Sequence, residues 1–227
     1  MNAQELKSAR KQRGWTQVKT AERLGVSQPY VALLEDGKRM VGPRLARKVV
    51  KALRLPPTLL PLPEKLAKGR SQNLPEQLSV LGYPGFAYLR GAQKRNPAEV
   101  LVTALAQDDL ESRVTEALPW LLLRYPEMDR DWLLQQARLH NLSNRLGFVV
   151  GLAKAVANAA GTTSMRHAQL NQLEARLQES RLDKEDTLCQ SLLSQREREW
   201  LRETRPPEAA YWHLLTDWRP EHLQYVA

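Results

Sequence analysis

The chain has 227 residues, enough for one large domain or two smaller ones with a sizeable core. Its hydrophobic fraction of 42% suits a globular protein, no apolar run approaches the roughly 18–20 residues of a membrane helix, and a single cysteine, Cys189, excludes an internal disulfide and a cysteine-based zinc cage. The net charge of +9 hides an asymmetry: residues 1–70 hold 16 Lys and Arg against 5 Asp and Glu, or +11, whereas residues 71–227 hold 18 against 20, or −2. Positive charge gathered in the first third attracts phosphate backbones. The N-terminal MNAQELKSARK lacks the apolar core of a signal peptide, and a lone thiol suits a reducing compartment, so a cytoplasmic chain with no membrane association is expected.

Taken in chain order, the signals are helical. Residues 2–13 repeat apolar positions at helical spacing. Thr16 is placed to cap a helix that runs to Leu24, with Ala21 and Leu24 inward, and Gly25 breaks it. Ser27 is placed to cap the next helix, where Pro29 is tolerated in a first turn that needs no N–H from it, and Gly37 ends it. A fourth helix is expected over 43–53, with Leu45, Val49, Val50 and Leu53 inward. The prolines of LPPTLLPLP (55–63) allow at most one short turn around residues 58–60. Residues 64–75 read as a linker, which divides the chain into 1–63 and 76–227.

Beyond the linker, LGYPGFAYLRG (81–91) reads as an aromatic-rich connector tucked against the second domain. Asn96, Pro97 and Glu99 have the arrangement of a capping box. Helical segments follow from residues 109, 129, 144 and 164, the first with a kink at Pro119, and the spacing of Leu188, Leu192 and Leu193 extends another long helix over 183–203. Short connections between them suit stacked antiparallel helix pairs, although no strict repeat is present. No segment shows strand alternation, so the fold class is all-α throughout.

Four short helices with a glycine turn between the second and third describe a helix-turn-helix. Residues 6–55 resemble the Xre/Cro, lambda-repressor-like family in Leu6, Arg10, Gly14, Thr16-Gln17, Ala21, Leu24-Gly25-Val26-Ser27-Gln28, Val31, Glu35, Gly37-Lys38-Arg39, Pro43, Leu45 and Leu53. The resemblance implies that the third helix enters the major groove by its N-terminal end. Gln28, Pro29, Ala32 and Leu33 would then face base edges. Gln28 is the one polar reader, able to donate to N7 and accept from N6 of adenine, while Ala32 and Leu33 can touch thymine methyls. Family members often carry a polar residue where Leu33 stands, so this helix is expected to supply limited specificity by itself. Gln17, Ser27, Tyr30, Lys38, Arg39 and Arg44 would hold the sugar-phosphate backbone. Arg10 has two readings, a brace to Glu35 or a DNA contact, and the brace is favoured. Trp15 reads as a core or lid residue.

The second domain offers weaker signals. His140, His167, His213 and His222 have no metal-ligand spacing, and His213, Asp217 and His222 read as a surface cluster. Cys189 reads as a buried structural thiol. Arg138, His140, Asn141, Asn144 and Arg145 gather at a helix junction, where Asn141 is expected to cap a helix. Residues 143–151 resemble a short stretch in antitoxins of the AbiEi type. Leu170, Leu173, Leu177 and Leu182 can pack within the chain or across a dimer. The expectation is therefore a DNA-binding transcriptional repressor that acts as a homodimer on double-stranded DNA, without cofactor or metal and not an enzyme. An antitoxin that masks a partner toxin is the alternative, and a nucleic-acid-processing enzyme is the alternative of another class.

Overall fold

The computed structural model describes residues 1–64, 66, 73–161 and 164–225. Most of the predicted linker, residues 65 and 67–72, lies outside them. The chain divides into two compact units, Met1–Glu64 and Lys65–Ala227. Helix dominates both, with only two short strands among the described residues.

The first unit has four helices: α1 (Ala3–Gln12), α2 (Gln17–Leu24), α3 (Gln28–Glu35) and α4 (Pro43–Leu53). Their ends follow from local chemistry. Asn2 and Glu5 close a capping box at α1, and the Thr16 hydroxyl accepts the Lys19 N–H at 3.1 Å at α2. Gly25, at φ 68°, ends α2 in the left-handed conformation that glycine adopts at least cost. Leu6, Ala9, Leu24, Leu34, Val49 and Leu53 form the core, with Trp15 and Tyr30 half-buried against it. In α4 the inward set differs from expectation. Leu45 is only half-buried, and Ala46 takes the fully buried place. A single turn, Pro57–Leu59, follows.

In the second unit, Leu74 and Pro75 already open α5 (Leu74–Leu81), and the aromatic connector folds as a turn, Pro84–Phe86, with Tyr83 and Phe86 buried. Then come α6 (Pro97–Leu105), α7 (Ser112–Arg124), α8 (Arg130–Leu139), α9 (Ser143–Ala159) and α10 (Ser164–Gln178). Helix α7 continues through Pro119. Helix α9 is the hub, packed by α7, α8, α10 and later α12. It is apolar nearly all round, as a central helix must be.

The long helix expected over 183–203 does not form. Residues Asp186–Thr187 are instead a strand, β1, paired in parallel with β2 (Leu214–Leu215). Cys189 has φ 55°, outside the helical range, and its carbonyl accepts from Leu110 N–H at 3.0 Å. Only then does α11 (Gln195–Thr204) start, at a capping box of Ser194 and Glu197, followed by α12 (Pro207–Tyr211). Leu188 is buried but Leu192 is 87% exposed, so the leucine spacing here marks no helical face. Gly147 and Gly151, one turn apart on α9, let α12 approach closely. A Cβ at Gly147 would stand 2.5 Å from the Trp212 ring, and one at Gly151 would stand 2.6 Å from the Glu208 carboxylate.

Candidate nucleic-acid interface

The most ordered polar arrangement of the first unit begins in its interior. The Arg10 guanidinium grips Glu35 with two bonds, Nε to Oε1 at 2.5 Å and a terminal nitrogen to Oε2 at 2.9 Å. It also donates to the Trp15 carbonyl at 2.7 Å. This is the brace read from the sequence, tying α1 to α3. Burial pushes the Glu35 carboxyl up, but the bonds from Arg10 and Gln17 and the charges of Arg10 and Lys7 outweigh burial and hold it below its ordinary value.

From Glu35 the network runs outward. Gln17 Nε2 donates to Glu35 Oε2 at 3.0 Å, and Gln28 Nε2 donates to Gln17 Oε1 at 2.8 Å. The buried ion pair thus fixes the Gln17 amide, and Gln17 fixes the Gln28 amide at the exposed start of α3. Gln28 keeps its Oε1 and one N–H available, the pair of groups that adenine's major-groove edge requires. Sequence reasoning named Gln17 and Gln28 separately and missed the link. Their 11-residue separation carries no local signal, and only the crossing of α2 over α3 brings them together.

The other residues assigned to the interface fall into three groups. Pro29 and Leu33 are exposed, Leu33 at 36%, and Ala32 is half-buried, so α3 offers a largely apolar outer face beside Gln28. Val31 and Leu34 are fully buried and anchor the helix. Tyr30 lies half-buried against the core. Ser27 is the residue before α3, but its hydroxyl makes no capping bond. A capping hydroxyl accepts from the second or third helical N–H; Pro29, in the second position, has none, and the Tyr30 N–H in the third is not engaged by Ser27. Past α3, the Lys38 and Arg39 amides both donate to the Leu33 carbonyl, at 2.9 and 3.2 Å, and turn the loop back over the helix end. Lys38 stands 3.7 Å from Asp36, and both are exposed, while Arg39 and Arg44 are exposed cations.

Residues 6–60 match the helix-turn-helix family. This segment is a helix-turn-helix domain of the Xre, lambda-repressor-like kind. The match covers about a quarter of the chain, and no curated protein or solved structure matches the chain. The helix-turn-helix domain is of a DNA-binding, transcription-regulator type. Within it, α2 and α3 are the two helices of the motif, and the turn between them is Gly25–Ser27.

In the second unit Arg138, Asn144 and Arg145, singled out at the α8–α9 junction, have structural partners. Arg145 bonds Asp186 through two nitrogens, at 2.7 and 2.9 Å, and the Leu105 and Gln107 carbonyls, each at 2.8 Å. Asn144 bonds both the N–H and the carbonyl of Leu182, each at 2.8 Å. Asn141, at φ 57°, ends α8 rather than capping α9, whose cap position is Leu142. Arg138 lies 3.7 Å from Glu179 on the surface. Cys189 is fully buried, and burial pushes its thiol up to about 11, so it is a packed group and a poor nucleophile. No cluster of metal-binding side chains occurs among the described residues, and no helix among them is long and apolar enough to cross a membrane.

Proposed function

We propose that this chain is a sequence-specific transcriptional repressor that docks α3 in the major groove and reads adenine with Gln28. The observation that carries this reading is the relay from Arg10 and Glu35 through Gln17, which fixes the Gln28 amide on an exposed helix start. Lys38, Arg39, Arg44 and the N-terminal end of α2 at Gln17 grip the phosphates on either side. With one polar reader per domain, affinity and specificity come from two domains on half-sites about 34 Å apart, so the chain acts as a homodimer. The second unit supplies the dimer contact and no catalysis.

The antitoxin reading assigns toxin masking to the second unit, and its one sequence feature, residues 143–151, is mostly the buried interior of α9. Residues packed into a core explain their own pattern, so repression is the better reading.

A titration of the full chain against a duplex enriched from a random pool tests the proposal. Gln28→Ala should weaken binding of that duplex by about 1–3 kcal/mol and leave unrelated duplexes unaffected. Lys38→Ala and Arg39→Ala should weaken all duplexes alike and each lower the salt slope by about one. If all three variants bind as the wild type does, α3 does not dock as described.

A further inference from the structure

The positive charge of the helix-turn-helix domain is not confined to the proposed groove-facing end. Helix α4 and its cap carry Arg44, Arg47, Lys48, Lys51 and Arg54, all exposed, with no acidic residue between positions 43 and 54. At 100° per residue these five share one side of the helix, so each has a like charge three or four positions away. Arg54 holds φ 51°, a conformation that favours glycine or asparagine, yet a cation stands there. The ridge ends at a cleft of about 660 Å³ where the C-terminal ends of α2 and α4 meet, lined also by Arg13, Trp15 and Arg23. Glu22 is the one carboxylate in its wall.

Some of this charge has a structural use. Lys48 Nζ donates to the Leu24 carbonyl at 3.1 Å and Arg13 Nε to the Leu53 carbonyl at 3.2 Å, so both cap helix ends. Arg23 lies 5.9 Å from the Trp15 ring centre. Arg44, Arg47, Lys51 and Arg54 have no carboxylate partner among the described residues. From Arg44 to Arg54 the ridge is about 15 Å long at 1.5 Å per residue. A single small anion cannot neutralise a row of that length. A duplex strand advances about 3.4 Å per phosphate along the axis and further along its own winding path, so the ridge spans a few phosphates.

We propose that the α4 ridge and the cleft at its end bind a duplex phosphate backbone beyond the half-site faced by α3. This rests on the reading of α3 as the groove-facing helix. The ridge starts at Arg44, inside the proposed interface, and carries charge about 15 Å further along α4 than that interface needs, so the phosphates belong to the flank of the same duplex or to a second one.

Salt-dependent titration of the full chain separates these sources. The probes are the enriched duplex trimmed to its half-sites and the same duplex extended by one helical turn at each end. A bead-bound complex offered a second, labelled duplex completes the set. The double variant Lys51→Gln/Arg54→Asn removes two charges and places a residue that tolerates the left-handed conformation at 54. Lys51→Gln alone guards against a folding defect. If the ridge holds the flank, the double variant lowers the salt slope on the extended duplex by about two, the single variant lowers it by about one, and the trimmed duplex is unaffected. If it holds a second duplex, capture on beads fails while slopes stay equal. Equal slopes together with equal capture overturn the inference and leave the α3 reading intact. Tighter binding by the variants also overturns it, since the ridge then holds an acidic protein surface that competes with DNA. A wild-type chain that binds no duplex would sink the α3 reading as well.

Discussion

Each unit contains an arginine that forks onto a carboxylate, and the two forks do different work. Arg10 and Glu35 are both sealed from water, with side chains 11% and 0% exposed, and their pair feeds a relay that surfaces at Gln28. Arg145 is equally buried at 11%, but Asp186 is 37% exposed, and the remaining Arg145 bonds go to the Leu105 and Gln107 carbonyls at the end of α6 and to the Cys189 sulfur. One fork therefore orients a side chain at a candidate surface, and the other fastens an irregular segment to a helical body.

The sharpest way to break this contrast is to remove one partner from each fork. Glu35→Ala strands a buried guanidinium and frees Gln17, and should cost about 3 kcal/mol, seen as faster amide exchange throughout α1–α4. It should also lower specific DNA binding through the loosened Gln28. Arg145→Met takes the guanidinium from two carbonyls and from the Asp186 carboxylate, which keeps the Thr187 N–H. Asp186 can recover water, so the cost should be smaller, about 2–3 kcal/mol, seen as exchange in β1 and β2 with DNA binding unchanged. A fall in DNA affinity for Arg145→Met would erase the distinction drawn between the two forks.

Acid should act on the first fork as well. The folded-state value of Glu35 is depressed, so its stabilising contribution is complete above the ordinary carboxylate value and is lost as pH falls through the folded one. Amide protection in α1–α4, corrected for the intrinsic exchange rate, should therefore fall as pH drops through the acid range, and Glu35→Gln should flatten that dependence. The smallest effect is expected at a cap. Thr16→Ala should destabilise the first unit by about 1 kcal/mol in thermal unfolding, without altering which sequence is bound.

The same contrast explains what could be read from the sequence. In the first unit each helix end is encoded within four residues, as with Thr16 and Lys19 or Gly25 after Leu24, so periodicity and caps locate all four helices. Ala46 escaped because a small side chain gives a weak apolar signal, and Ser27 stands at the cap position of α3 without making the capping bond. In the second unit, residues 186–191 take their partners from far along the chain, Asp186 from His213 and Ser191 from Asp108 and Asp109. No local pattern records such partners, and three leucines at helical spacing suggested a helix instead. The candidate site was legible as a set of residues but not as a relay, because the Gln17–Gln28 bond exists only once α2 and α3 cross.

The short β1–β2 ladder has one more consequence. It pins residues 186–187 beside 214–215, so the segment between them, which includes α11 and α12, starts and ends at nearly the same point. Within that excursion α12 is anchored by Trp212 against α9, whereas α11 buries only Leu201. The closure entropy of such a handle grows only with the logarithm of its length. Insertions between residues 191 and 204 would therefore extend the handle and leave the hub undisturbed, which makes this stretch the natural place for related chains to differ in length.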